Sequence, residues 1–276
     1  MTATIIDGKA VAAKRLRALA ERVAGRKIGL GIVVATENPA TRNYVAQKQR
    51  QAETVGYSVT IRDLESDSSL EQIVSACEEL NADDSVDGYI VQLPLPEGVD
   101  VDKALVAVAP GKDADGLAPA NLKRLYAGEP AVVPATPKGI LNLLTAYKIP
   151  VAGQKITVVG QGRLAGRPLS ALLEQRGADV TRCDKLTKDL PAGTRTADVL
   201  IVAAGHPGLI TADMIKEGAA VIDVGISRVD GATVGDVDFA AVSKKAAAIT
   251  PVPGGVGPMT VVSLLENVAD LAEING

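Results

Sequence analysis

Apolar positions recur at two periods along the chain. In residues 7–24, Val11, Leu16, Leu19, Ala20 and Val23 form one helical stripe. IGLGIVVAT (28–36) is a continuous apolar run of strand length. NPATRNYVAQKQRQAETVG (38–56) follows as a helix: Asn38 suits its cap, Pro39 its first position and Gly56 its end. SVTIRDL (58–64) reads as a second strand. SSLEQIVSACEELNAD is a helix with Ser68 or Ser69 near its cap, and VDGYIVQLPLP (86–96) is a third strand ending in a proline-rich turn. Strand–helix alternation predicts parallel pairing with helices on both faces. Ligands of such sheets bind beyond the carboxyl ends of strands, so the turns at 36–40 and 92–96 are expected to border one cleft.

The second half keeps the alternation. Residues 110–137 are rich in Pro and Gly and read as a connecting region, after which Thr136 caps a helix over 137–147 carrying Ile140, Leu141, Leu143 and Leu144. KITVVGQGRLAGRPLSALLEQRGADVTRCD is a strand, a glycine turn (Gly160, Gly162, Gly166), a helix opened by Pro168, and another strand. Glycines let backbone approach a diphosphate, and a helix N-terminus favours its charge. ADVLIVAAG, AAVIDVGI and AAAITPVP supply further strands. PVPGGVGPMT (251–260) crowds glycines and prolines before a closing helix over 261–274. The expected fold is α/β, with two α/β domains around a cleft. Residues 1–137, completed by 261–276, form a catalytic domain, and 138–260 form a Rossmann-type dinucleotide-binding domain.

Composition narrows the picture. Of 276 residues, 47% are hydrophobic but only 2% aromatic, so the core is built from Ala, Val, Ile and Leu, as suits a parallel sheet. A net charge of -4 offers no basic footprint for nucleic acid. Cys77, Cys183 and the single His206 are too few for a disulfide framework or a transition-metal cluster, so no metal is expected. The N-terminus lacks a signal-peptide pattern, and no run is long enough to span a membrane, which makes a cytoplasmic protein the expectation.

Tyr44 and Lys48, four residues apart, share one helical face and form a candidate proton-transfer pair, because burial readily lowers a lysine pKa. Gln92 stands among apolar neighbours at a strand end, as a polar cap or as a site residue. Asp113 and Asp115 in KDADG read as a surface turn or as a carboxylate aimed at a ligand amine. Asp184, roughly 20 residues beyond the glycines, stands where an acid binds adenosine ribose hydroxyls, which favours NAD. Its neighbours Arg182 and Lys185 pull toward NADP. His206 reads as a loop residue.

With NPATRNYVAQK, DGYIVQLPLP, PGKDADG, PATPKGILNLL, the Gly160 turn and ITPVPGGVGPMTVVSLLEN in this order, the chain resembles the bifunctional methylenetetrahydrofolate dehydrogenase/cyclohydrolase (FolD-type) family nearly end to end. The resemblance implies oxidation of 5,10-methylenetetrahydrofolate with NAD(P) and hydrolysis of the methenyl product to 10-formyltetrahydrofolate, feeding purine, histidine and methionine biosynthesis. It implies that Lys48 is the catalytic lysine, that Tyr44 stacks on the folate, that Gln92 tunes the lysine, and that Asp115 holds the pterin. Pro253 and Gly254 fall among its substrate contacts, and Gly160, Gln161, Gly162, Asp184, Lys185 and Ile226 on the cofactor side. A homodimer paired through the cofactor domain is expected. Two departures bear on the cofactor. The family's Gly-Arg-Ser turn reads Gly160-Gln161-Gly162 here, and a His-Ser pair after the second strand reads Asp184-Lys185. Family precedent is NADP, whereas these residues lean to NAD. The altered turn also leaves a cyclohydrolase-dominant enzyme as an alternative. A short-chain dehydrogenase, which also uses Tyr-x-x-x-Lys, would carry its glycine turn first.

Overall fold

The computed structural model describes residues 3–275. In chain order its elements are β1 (Thr4–Ile5), α1 (Gly8–Val23), β2 (Gly29–Val34), α2 (Pro39–Thr54), β3 (Ser58–Asp63), α3 (Leu70–Ala82), β4 (Gly88–Val91), α4 (Val101–Val106), α5 (Pro119–Tyr126) and α6 (Ala135–Ala146). There follow β5 (Lys155–Val159), α7 (Gly166–Gln175), β6 (Asp179–Cys183), α8 (Leu190–Thr194), β7 (Val199–Val202), β8 (Ala220–Asp223), β9 (Ser227–Val229), β10 (Ala232–Val234), α9 (Phe239–Val242), β11 (Ala248–Ile249) and α10 (Val256–Asn275). Contacts divide the chain into two units. One comprises the N-terminal residues to Ala13 with Thr136–Thr260, and the other Lys14–Ala135 with the chain from Val261 onward.

The Lys14–Ala135 unit is built on the parallel sheet β3-β2-β4. Every residue of β2 is buried, as its unbroken apolar run requires of a central strand covered on both faces. One core cluster joins Leu30, Ile32 and Val34 to Val45, Ala52, Leu264, Leu265 and Val268. A second joins Val33 and Val91 to Ile73, Cys77 and Leu80. The helices start where their caps dictate. The Asn38 side chain accepts from the amides of Ala40 and Thr41, and Ser69 with Gln72 forms a capping box.

The second unit is a six-stranded sheet of order β1-β11-β8-β7-β5-β6, parallel throughout, as expected of a Rossmann-type domain. Its core joins Val159, Leu200, Val202, Val221 and Ile249 to Ile210, Val237 and Val242. A short antiparallel hairpin, β9–β10, follows β8.

Four details differ from the sequence expectation. The chain start, placed with residues 14–137, joins the six-stranded unit because Thr4 and Ile5 pair in parallel with Ala248 and Ile249. Two residues carry too little pattern to announce a strand. The third strand stops at Val91, leaving Gln92 just past its end. The connecting region holds α5, and α4 lies just before it; the apolar positions of each are too few for a periodic signal. The closing helix begins at Val256 rather than 261, because Pro258 lies early enough in it to be tolerated.

Candidate functional site

α2 and the end of β4 together build a polar group in the Lys14–Ala135 unit. Lys48 lies on the face of α2 that carries Val45 and Ala52 into the core, and only 4% of it is exposed. Its Nζ donates to Gln92 Oε1 at 2.9 Å. Gln92 is oriented in turn by Nε2 donating to the Leu93 carbonyl at 2.6 Å, and its backbone amide bonds Val33 O in continuation of the ladder. The Lys48 ammonium lies 4.8 Å from the centre of the Tyr44 ring, one turn earlier on the same face. Burial lowers the Lys48 pKa, and the nearby Asp115 carboxylate opposes that shift. Burial likewise raises the Asp115 pKa, against the pull of Lys48. Tyr44, Lys48, Gln92 and Asp115 are thus gathered into one group, with an amine held nearer neutrality than a solvated lysine.

The loop bearing Asp115 is held by residues whose role was not evident in the sequence. Asp113, 3% exposed, accepts from the amides of Leu117 (3.2 Å) and Ala118 (2.8 Å) and from Asn121 Nδ2 (2.9 Å). Burial raises its pKa. Asn267 Nδ2, on α10, donates to the carbonyls of Ala114 and Val133, both at 2.9 Å. Asp113 is therefore a structural clamp for the loop that carries Asp115.

The cofactor candidates lie in the six-stranded unit. Gly160 directly follows β5 with φ +91°, which glycine alone adopts without strain, and its amide bonds Cys183 O at 2.8 Å. A side chain there would collide with the Ala203 carbonyl oxygen, and one at Gly166 with the Gly160 carbonyl oxygen. Gly162 is exposed, with open space where a Cβ would point, so the turn leaves room for a diphosphate before the N-terminus of α7. Gln161 turns inward. Its Nε2 donates to Val158 O at 3.1 Å, and its Oε1 accepts from Ser170 Oγ at 3.4 Å. Asp184 is exposed just beyond β6, and its Oδ1 accepts from the Leu186 amide at 2.9 Å. Lys185 is exposed, whereas Arg182 is paired with Glu174 at 2.7 Å. Ile226 is exposed after β8. His206 is exposed, with Nδ1 3.4 Å from Ala204 O. Pro253 and Gly254, expected at the folate, belong to this unit, where Gly254 O accepts from the Lys9 amide at 3.1 Å.

Two buried acids, Asp223 and Asp236, also belong to this unit and were not singled out from the sequence. The signal available was an aspartate closing an otherwise apolar strand, AVID, and a second one in GDVD. Among the described residues no group of three or more His, Cys, Asp and Glu is arranged to hold a metal, and no helix is long and apolar enough to cross a membrane.

Residues 6–115 match the model of the tetrahydrofolate dehydrogenase/cyclohydrolase catalytic domain, and residues 134–275 that of the NAD(P)-binding domain of the same family. The chain is 45% identical to the bifunctional protein FolD of Exiguobacterium sibiricum over 276 residues, covering 98% of this chain and 100% of the relative. The FolD methylenetetrahydrofolate dehydrogenase/cyclohydrolase of Campylobacter jejuni superposes with a TM-score of 0.95 at 41% identity, covering 99% of each chain. The Trypanosoma brucei dehydrogenase-cyclohydrolase, solved with NADP and an inhibitor, gives a TM-score of 0.95 at 36% identity over 100% of this chain and 99% of that one. Two domain models in order, relatives matched end to end and one shared fold agree: the chain belongs to the tetrahydrofolate dehydrogenase/cyclohydrolase family.

Proposed function

We propose that the protein oxidises 5,10-methylenetetrahydrofolate to the 5,10-methenyl compound and hydrolyses that to 10-formyltetrahydrofolate. The observation that carries this reading is the buried Lys48 amine on Gln92 Oε1, with its pKa lowered, in a chain of this family. In the hydrolytic step neutral Lys48 takes a proton from water attacking the methenyl carbon. The ammonium returns it to N5 as the ring opens, and the remaining hydroxyl proton leaves to solvent. Gln92 keeps the amine aimed. Tyr44 offers its ring as a stacking surface for the folate, and Asp115 accepts from the pterin nitrogens. Pro253 and Gly254 add backbone surface for the same substrate.

A nicotinamide dinucleotide, when bound, supplies the hydride acceptor for the oxidation. Gly160, Gln161 and Gly162 hold its diphosphate through the open backbone of their turn, Asp184 and Lys185 its adenosine ribose, and Ile226 its nicotinamide end. NAD is the preferred form. Asp184 presents a carboxylate that repels a 2′-phosphate, and Arg182, one of the two neighbouring cations that would attract one, is taken up by Glu174, leaving Lys185 alone to oppose it. The inward turn of Gln161 favours a second reading, in which hydrolysis outpaces a weakened oxidation. With this function go a homodimer paired through the cofactor domain, a cytoplasmic location and a supply of one-carbon units to purine, histidine and methionine synthesis.

One assay tests the proposal: methylenetetrahydrofolate with NAD or NADP, followed through the rise and decay of methenyl absorbance. The expected result is a rise that is faster with NAD, then decay. In Lys48→Met the rise persists and the decay is lost. Decay at the wild-type rate in that variant would overturn the role of Lys48, and faster oxidation with NADP the role of Asp184.

A further inference from the structure

Asp223 clasps the backbone at Asp236, and Asp236 in turn clasps the backbone at Ala204 and Gly205. Asp223 Oδ1 accepts from the amides of Gly225 and Asp236, both at 3.0 Å, and Oδ2 from the amide of Val237 at 3.0 Å. Asp236 Oδ2 reaches the other way, accepting from Ala204 at 2.7 Å and Gly205 at 2.8 Å. The glycines complete the fit: a side chain at Gly225 would strike the Asp236 carboxylate, and one at Gly235 the Asp223 carboxylate. Asp236 is fully buried. Its Oδ1 has no hydrogen-bond partner, so a carboxylate is kept there although one of its oxygens gains nothing from the fold.

The group that Asp236 holds is the backbone just past β7. Gly160, in the glycine turn, packs directly on the Ala203 carbonyl and Ala204 amide. The position of the 203–205 backbone therefore sets the position of the turn. Through Asp223, the same clasp fixes Gly225, next to Ile226.

We propose that Asp236 is a positioning residue for dinucleotide binding: its buried carboxylate fixes Ala204 and Gly205 as the platform on which the Gly160 turn rests. This rests on the reading that the Gly160 turn holds the dinucleotide. Hydrolysis of the methenyl compound needs Lys48 and Gln92 but no dinucleotide, so it serves as an internal control. The test measures, in Asp236→Ala, the KM for the dinucleotide preferred by the wild type, the KM for methylenetetrahydrofolate, and methenyl hydrolysis. The expected result is a dinucleotide KM raised about tenfold or more, with the folate KM and hydrolysis within about twofold of wild type. Asp236→Asn, which keeps an oxygen for both amides, restores the KM to within about threefold. If Asp236→Ala does not fold, Asp236→Ser, whose hydroxyl is too short to reach both amides, is measured under the same expectation. An unchanged dinucleotide KM, or hydrolysis falling in step with oxidation, would overturn the proposal. A wild type that oxidises with neither NAD nor NADP would instead overturn the reading of the Gly160 turn.

Discussion

Replacing Gln92 with Glu puts a carboxylate where Lys48 Nζ now meets an amide oxygen at 2.9 Å. Both residues are more than nine-tenths buried, so solvent screens the new pair weakly. Opposite charges about 4 Å apart at an effective dielectric constant near 20 attract by about 4 kcal/mol. Desolvating the new carboxylate offsets part of this, and the remainder raises the Lys48 pKa. Less of the amine is then neutral at pH 7. Methenyl hydrolysis is expected to fall about ten- to a thousandfold there, and to recover roughly tenfold per pH unit toward alkaline pH. The second Glu oxygen also faces the Leu93 carbonyl, which now accepts from Gln92 Nε2, at a cost of about 1–3 kcal/mol in stability. The assay is decay of methenyl absorbance across pH, corrected for uncatalysed hydrolysis, with urea unfolding on the same sample. An acid limb that stays at the wild-type pH would refute the argument that Gln92 acts through the protonation of Lys48.

Other expectations follow from the same geometry. Gly160→Ala forces a methyl group against the Ala203 carbonyl at φ +91°, so oxidation should drop by about a hundredfold or more while hydrolysis persists; parallel assays of the two steps decide it. Asn267→Leu leaves the Ala114 and Val133 carbonyls without their shared donor, and should lower stability by about 2–4 kcal/mol in urea unfolding. Burial pushes the Asp223 pKa up to about 6 from an ordinary 3.8, so the folded state holds that proton more tightly. Its contribution is fully present below pH 3.8 and lost as pH rises through 6, a span of about 3 kcal/mol. Urea unfolding of wild type and Asp223→Asn at pH 5 and 7 should show the wild type gaining on the variant at the lower pH; a constant gap would contradict this.

Where each element buries its own apolar stripe, the sequence was enough. β2, α2 and α3 begin and end close to where period, cap and glycine place them, because those signals act within a few residues. The Tyr44–Lys48 pair was legible for the same reason, being four residues apart on one helix. What escaped was long-range. β1 exists only because β11 offers it an edge, more than 240 positions later. Asn267 and Asp236 carried no signal of their own in the sequence; only the fold sets them against carbonyls and amides far along the chain. The KDADG segment shows the division well. Two acids of equal appearance part company because Asp113 is saturated by Leu117, Ala118 and Asn121, and nothing local distinguishes them.

The clasp built by Asp223 and Asp236 has a consequence for which substitutions this chain can accept. Asp223, Gly225, Gly235 and Asp236 each fill space that another leaves. A methyl group at Gly225 meets not only the Asp236 carboxylate but also the Asp236 backbone nitrogen, so shortening residue 236 does not by itself make room. While Asp223 and Asp236 stand, neither glycine can gain a side chain, whereas each aspartate can still change to a residue of its own shape such as Asn.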